Sequence, residues 1–473
     1  MEWTTRNEGQ FWLLLPLALG AAGLLGRLGI RPLTGRLRPF VAILGGGAAL
    51  VAALTGGDLA TARAWAIAPV AAILILDGVA SLGSPRETRE RREDLLVPGA
   101  LAVLAVTASS VTGLFLAIAS LMAWAGLSGL RVGQRSVGLA RIIALASALG
   151  CLGLGLQGAR LRSAGGASGA IEWLGLPLRG DAGTTAVFVA LVVPLLLPGR
   201  AGGPTAGLCA RDAATRRSAN AVLIHLTVIW ALQALFGGVE ALRTVALAGL
   251  GIALLTSVGK RRSAGDRHAG LLQGAAALAV FGAGTGDEGA ACGVALALVA
   301  HAVGATVVSL AVAKAQALSG TGGARAMPQT TIFAWIAGLS LVGFPFTLGG
   351  LATSIGLGSA VRDGAEDWSM VVLIGAAALT GLVLVPLLMG LSDGDGRGDR
   401  AAEPRAMSVA VPAAAGLGAA FLVATGSVPG ALQFLLPHQG ASLAAYPGPA
   451  VLAGTIALGA VLGAAVRRAL GSR

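Results

Sequence analysis

Residues 329–361 read QTTIFAWIAGLSLVGFPFTLGGLATSIGLGSAV, an apolar run with Gly343-Phe344-Pro345 at its middle. Proline lacks a backbone donor and its ring clashes with the preceding turn, so the run predicts a helix broken at Gly343 and Pro345. Backbone breaks at bilayer depth are tolerated only where protein or water satisfies the freed groups, and they often mark transport sites. Pro194 and Pro198 predict a second broken helix in the run 183–199. Each break can be an ion site or inherited packing.

The rest of the chain has the same character. Of its 473 residues, 12% are charged and 55% hydrophobic, with a mean hydropathy of +0.80. A soluble domain carries roughly 25% charged residues, so a soluble enzyme is excluded and an all-α integral membrane protein is expected. Its 73 glycines suit tightly packed membrane helices, where small residues let backbones approach. The net charge of +12 comes from basic residues lying between apolar runs. That placement points to membrane orientation and contact with the lipid bilayer, with no nucleic acid partner. Cys151, Cys209 and Cys292 stand apart, with no Cys-x-x-C pair and no neighbouring His, so neither a metal site nor a redox centre is expected.

Apolar runs fall near 11–29, 39–56, 63–83, 96–113, 114–130, 137–157, 183–199, 218–239, 243–259, 268–286, 289–313, 329–361, 368–391 and 406–426, with a last one at 447–466. They amount to about 14 membrane-spanning helices, leaving open whether 447–466 spans. The runs 96–113 and 114–130 meet at Thr112-Gly113, so they are either two helices with a tight turn or one long helix. The first run lacks a basic start and a small-residue cleavage site, and reads as a retained span. Short cytoplasmic loops carry the excess of Lys and Arg. Alternate loops here hold Arg27–Arg38, Arg86–Arg92, Arg131 and Arg135, Arg200–Arg217, Lys260–Arg267, Lys314 and Arg325, and Arg397–Arg405. The alternation requires 329–361 to cross once. It predicts a multi-pass protein of the cell's inner (plasma) membrane with its N-terminus outside. Three regions are expected: N-terminal spans 1–95, a core 96–361 and C-terminal spans 362–473. Ser84–Asp94 mixes Arg with Glu and reads as a solvated turn, with a docking site as the alternative.

The core carries a resemblance. In order it holds TVALAGLGIALLTSVGKRRSAG (244–265), GVALALVAHAVGATVVSLAVAKAQ (293–316) and IFAWIAGLSLVGFPFTLGG (332–350). Upstream lie FLAIASLMAWAGLSGL (115–130) and SANAVLIHLTVIWALQALF (218–236). In order and spacing this resembles the antiporter-like membrane subunits of respiratory complex I (NADH:quinone oxidoreductase) and the Mrp-type cation/proton antiporters. That family's motifs are W-E-x-x-x-L-x-S-Y, S-A-L-I-H-A-A-T-M-V, D-x-K-R, H-A-x-x-K-A and L-S-L-x-G-x-P-P-x-x-G-F. Gly203-Pro204-Thr205 resembles the family's G-P-T, although it sits too far upstream of His225. The implied fold is an antiporter-like inverted-repeat bundle, with repeats around 96–239 and 243–361 and two broken helices.

The resemblance also implies a proton path. An ionisable group at bilayer depth costs about 2.5–3.5 kcal/mol, which makes each one a functional candidate. His225 would be the central relay, since an imidazole exchanges protons near neutral pH. The alternative is a neutral imidazole hydrogen-bonded to a neighbouring helix. His301 matches the histidine of H-A-x-x-K-A and would take the proton from His225. Lys260 matches the lysine of D-x-K-R, although at a helix end it can simply snorkel to the interface. Lys314, Asp77 and Arg141 read as interfacial.

Several family residues are replaced. The acidic residue of W-E-x-x-x-L-x-S-Y aligns with Ala117 and its tyrosine with Trp124. The lysine of the first broken helix falls among Leu191–Val193, that of H-A-x-x-K-A is Ala305, the aspartate of D-x-K-R is Val258, and the charged residue after the second break aligns with Thr353. The resemblance thus implies a divergent, non-redox subunit of a proton-coupled quinone oxidoreductase complex of the NADH dehydrogenase or hydrogenase type, with impaired proton translocation. No catalytic residue and no cofactor is expected in this chain. Quinone would belong to the assembly, and other membrane subunits would be the partners. Two alternatives stand beside it: a non-conducting scaffold anchoring a soluble partner, as in inorganic-carbon uptake pairs, and a stand-alone ion transporter.

Overall fold

Apolar residues, above all Ala, Leu, Val and Gly, dominate the spans, and with no water to satisfy the backbone a helix meets its own hydrogen bonds there. The computed structural model describes residues 14–25, 37–55, 60–82, 95–108, 111–128, 182–196, 210–258, 264–285, 288–317, 327–364, 366–392, 405–427 and 453–462, with residues 150 and 465 singly. Among the described residues there is no strand.

The helices are α1 (Leu14–Leu25), α2 (Arg38–Thr55), α3 (Ala60–Leu82), α4 (Leu96–Thr107), α5 (Val111–Ser128), α6 (Ala182–Leu196), α7 (Ala210–Phe236), α8 (Ala241–Ser257), α9 (Ala264–Ala283) and α10 (Glu288–Ala317). They continue as α11 (Pro328–Leu341), α12 (Leu348–Arg362), α13 (Glu366–Leu379), α14 (Val385–Ser392), α15 (Arg405–Ser427) and α16 (Ala453–Leu462). Most coincide with the apolar runs. The stretch 96–130 is two helices, and the joint lies at Ala108, where the backbone turns extended, rather than at Thr112-Gly113. Helix α7 starts at Ala210, ahead of its apolar run, so Arg211, Arg216 and Arg217 are helical rather than in a loop. Between α13 and α14 lies a π-helical turn at Thr380–Leu384, closed by Val385 N–H on the Thr380 carbonyl, which no pattern in the apolar run signals. It falls just before Pro386, whose missing donor disfavours a regular turn. Span 137–157 apart from Gly150, and Ser84–Asp94, Gly203–Thr205, Arg141, Cys151 and Cys209, lie outside the described residues.

Helix α10 is the axis of the bundle and packs against α3, α7, α9, α11, α12 and α15. In its spanning window 83% of the residues are buried, against 39% for α15 at the periphery. Together with Glu366–Gly390, these are the described stretches long and apolar enough to cross a membrane by themselves. Close approach at the axis depends on glycine. A methyl on Gly293 would stand 3.3 Å from the Gly356 amide nitrogen, so α10 and α12 meet nearly backbone to backbone. On the outside, Leu14, Phe40, Leu44, Ile332, Ile374, Val409, Leu417 and Leu458 are exposed. Spread over the outer helices, they suit contact with lipid tails better than water.

The turns sort by face. Gly238 N–H donates to the Ala283 carbonyl, and Arg243 forms an ion pair with Asp363. The start of α8, the end of α9 and the end of α12 therefore share one face, and the termini that flank Lys260–Arg262 and Arg325 lie at the other. This agrees with the alternation of basic loops.

Candidate functional site

The second broken helix is built from local signals. Helix α11 closes with Gly343 N–H on the Ser340 carbonyl at 3.1 Å and Phe344 N–H on the Leu339 carbonyl at 2.9 Å. That is a Schellman end, which needs the left-handed conformation of Gly343 (φ 87°). Pro345 then prevents continuation. Thr347 restarts the chain as the α12 N-cap, accepting from Gly350 N–H at 3.2 Å, and Ser340 Oγ accepts from Gly349 N–H at 3.1 Å. Gly343 and Pro345 thus sit in a break whose backbone groups are met locally.

The first break is met from a distance. Pro194 lies in the last turn of α6, and Pro198 lies outside the described residues. The Leu195 carbonyl, past the reach of its own helix, accepts from the side-chain amide of buried Gln273 on α9.

Two predicted histidines come together. His225 is the sixteenth residue of the 27-residue α7 and His301 the fourteenth of the 30-residue α10, so both sit near helix midpoints. His225 Nδ1 lies 3.4 Å from His301 Nε2, with ring centroids 5.6 Å apart, and both side chains are buried. One nitrogen of this contact must carry the proton. His301 Nδ1, the other nitrogen of that ring, is buried without a partner. Both readings of His225 survive in this geometry, because its neighbouring-helix partner is itself the second relay candidate.

Beside His301 is a cavity of about 40 Å³. Ser340, Gly349 and Thr353 of the second break line it, with Ala297 of α10 and Gly356 of α12. Thr353, where the resemblance places a charge, therefore lines the same cavity as His301. Of the other replaced positions, Ala117, Leu191, Val192 and Ala305 are buried in the apolar core, Trp124 and Val193 are half-buried and Val258 is exposed.

A second polar contact lies further along α10. His268 Nε2 and Ser309 Oγ are 3.1 Å apart, both buried. The Ser309 hydroxyl also donates to the Ala305 carbonyl at 2.6 Å, so His268 Nε2–H is the donor to Ser309. Ser309 is eight residues from His301, about 12 Å along the axis. Sequence reasoning missed His268 and Gln273, although each is a polar side chain at or inside an apolar run, the usual mark of a buried contact. Lys314 sits in the last turn of α10 as expected of an interfacial residue, yet its side chain is buried rather than directed outward. Asp77 is half-buried on α3, and Lys260 lies outside the described residues. Among the described residues no three His, Cys, Asp or Glu side chains gather.

No family model and no curated protein matches this sequence. Solved structures do. A chain of respiratory complex I from Thermus thermophilus with bound aureothin aligns with 91% of this chain and 99% of its own length, at 19% identity and a TM-score of 0.57. A chain of the membrane-bound sulfane sulfur reductase, an archaeal respiratory membrane complex, aligns over 96% and 99% at 15% identity and 0.59. A chain of the Mrp complex from Dietzia sp. DQ12-45-1b aligns over 93% and 99% at 14% identity and 0.62. The chain has the fold of the antiporter-like membrane subunits, the class its motifs resemble, and the low identities fit a divergent sequence.

Proposed function

We propose that this chain is a divergent antiporter-like subunit of a proton-coupled quinone oxidoreductase complex of the NADH dehydrogenase or hydrogenase type. It lies in the plasma membrane with its N-terminus outside, among other membrane subunits that hold the redox centres and the quinone. The observation that carries the protonic part is the His225–His301 contact at the helix midpoints, joined to the second break. Support for the assembly comes from the likeness to chains of three multi-subunit membrane complexes over nearly the whole length. With Ala117, Leu191 and Ala305 in place of charges, the relay is reduced to the histidines, and translocation is impaired relative to a fully charged path.

The test is proton flux in vesicles containing the assembled complex. His225→Ala is expected to lower flux at least tenfold while leaving electron transfer to quinone measurable. Unchanged coupling would overturn the relay.

The packed, apolar state of those same positions favours one other reading, a non-conducting scaffold for a soluble partner. Mild-detergent purification with mass spectrometry separates the two. Quinone-reductase or hydrogenase subunits co-purify if the chain is a redox-arm subunit, and a soluble partner alone if it is a scaffold.

A further inference from the structure

The helical stretch Glu366–Gly390 changes its hydrogen-bond spacing in the interior of the bundle. The Thr380 carbonyl is met by Val385 N–H, five residues on instead of four, and Thr380, Gly381, Val383 and Leu384 of this π turn are all buried. Each residue of an α-helix advances about 100° around the axis, so side chains five apart would point about 140° away from each other. A bond spanning five residues closes that angle, because it puts residue i+5 where i+4 would otherwise stand. Leu379 and Leu384, five apart across this turn, are thereby brought onto one face.

Both leucines are buried, and they enter glycine notches on two different helices. A methyl on Gly274 of α9 would stand 2.6 Å from both Cδ atoms of Leu379, and one on Gly338 of α11 would collide with Leu384 Cδ1. Gly274 adjoins Gln273, whose amide closes the first break. Gly338 lies two residues before Ser340, which accepts from Gly349 N–H in the second. Close packing of this kind, rather than removal from water, holds helices together in a membrane.

We infer that the π turn is a pin between the two broken helices. Its paired leucines fix α9, which carries the tie to α6, and α11, which ends at the second break, in one register, so that a displacement of either is passed to the other. Pro386 makes the irregular turn less costly at this place, because a regular turn would leave the Leu382 carbonyl without a donor. The inference rests on packing alone and holds whether or not the chain moves protons.

The test is hydrogen exchange, read by mass spectrometry on the full chain in its complex, at the Gly349 and Gly350 amides that cap the second break. Leu384→Ala empties the notch on α11 and is expected to speed their exchange about tenfold. Leu379→Ala empties only the notch on α9, yet is expected to speed the same amides about fivefold, because the displacement travels through the turn. Leu74→Ala, which empties the notch at Gly99 between α3 and α4, is the control and is expected to leave them unchanged. Exchange at the normal rate in Leu379→Ala overturns the pin. So does an equal rise in Leu74→Ala, which would mark general loosening. Where Leu379→Ala fails to assemble, Leu379→Val removes one methylene from the same notch: a rise of about twofold supports the pin, and no rise overturns it.

Discussion

The two broken helices solve the same backbone problem in different ways. At the end of α6 the freed Leu195 carbonyl is closed by one long-range donor, Gln273, and the surrounding Leu191 and Val192 are packed into the apolar core. At the α11–α12 break, Gly343, Ser340 and Thr347 close the backbone locally, and space is left beside His301. A break closed by packing can hold a fold together and do nothing more. A break closed by its own capping residues leaves its neighbours free to line a site. In this chain the first break is closed by a long-range contact, and the second borders a cavity that His301, Ser340 and Thr353 line together with apolar residues.

That contrast can be broken most severely at Gly343. Its φ of 87° is in the left-handed region, and a methyl there would stand 2.6 Å from Thr353 Oγ1. Gly343→Val therefore combines a backbone penalty with overpacking, for a loss of about 3 kcal/mol. A thermal-unfolding assay in detergent is expected to show the drop together with loss of assembly. Near-normal stability would mean that the Schellman end does not set the break.

Gln273→Met sharpens the other side. It keeps the length of the side chain and removes the donor to Leu195, leaving a buried carbonyl unmet at a cost of roughly 2 kcal/mol. The expected outcome is lower thermal stability with proton flux per folded complex unchanged. A specific loss of flux at normal stability would show that the first break also serves transport.

The difference between the breaks also explains what could be read from the sequence. Gly343, Pro345, Thr347 and Gly350 lie close together, so capping chemistry announces the second break in the linear text. Gln273 and Leu195 are far apart in the chain, and nothing local in α6 names the residue that closes it. The histidine pair was legible as two candidates because His225 and His301 each sit alone in an apolar run. Their contact was not, since it depends on how α7 packs against α10. The place of Lys314 near a helix end is legible in the sequence, but its burial is not, because that depends on neighbours supplied from elsewhere in the bundle. The π turn before Pro386 escaped notice because hydrophobic periodicity reports that a helix is present, not how its hydrogen bonds are spaced.

The smallest effect is expected at Ser309, which tests whether every buried histidine contact on α10 is a relay. His268 and Ser309 resemble the His225–His301 pair in burial, but Ser309 already spends its only proton on the Ala305 carbonyl, so the contact ends in a backbone group rather than at a cavity. Between Ser309 and His301 lie about 12 Å of helix, with Ala302, Val303, Ala305, Val307 and Val308 all buried. Ser309→Ala removes the acceptor for His268 Nε2–H, a cost that the higher helix propensity of alanine and the relief of the back-bonded hydroxyl partly offset. The net loss is about 1 kcal/mol, readable as a small shift in thermal unfolding with unchanged proton flux. If flux fell as far in Ser309→Ala as in His225→Ala, the polar contacts of α10 would have to act as one continuous path, with water entering the helix interface between them.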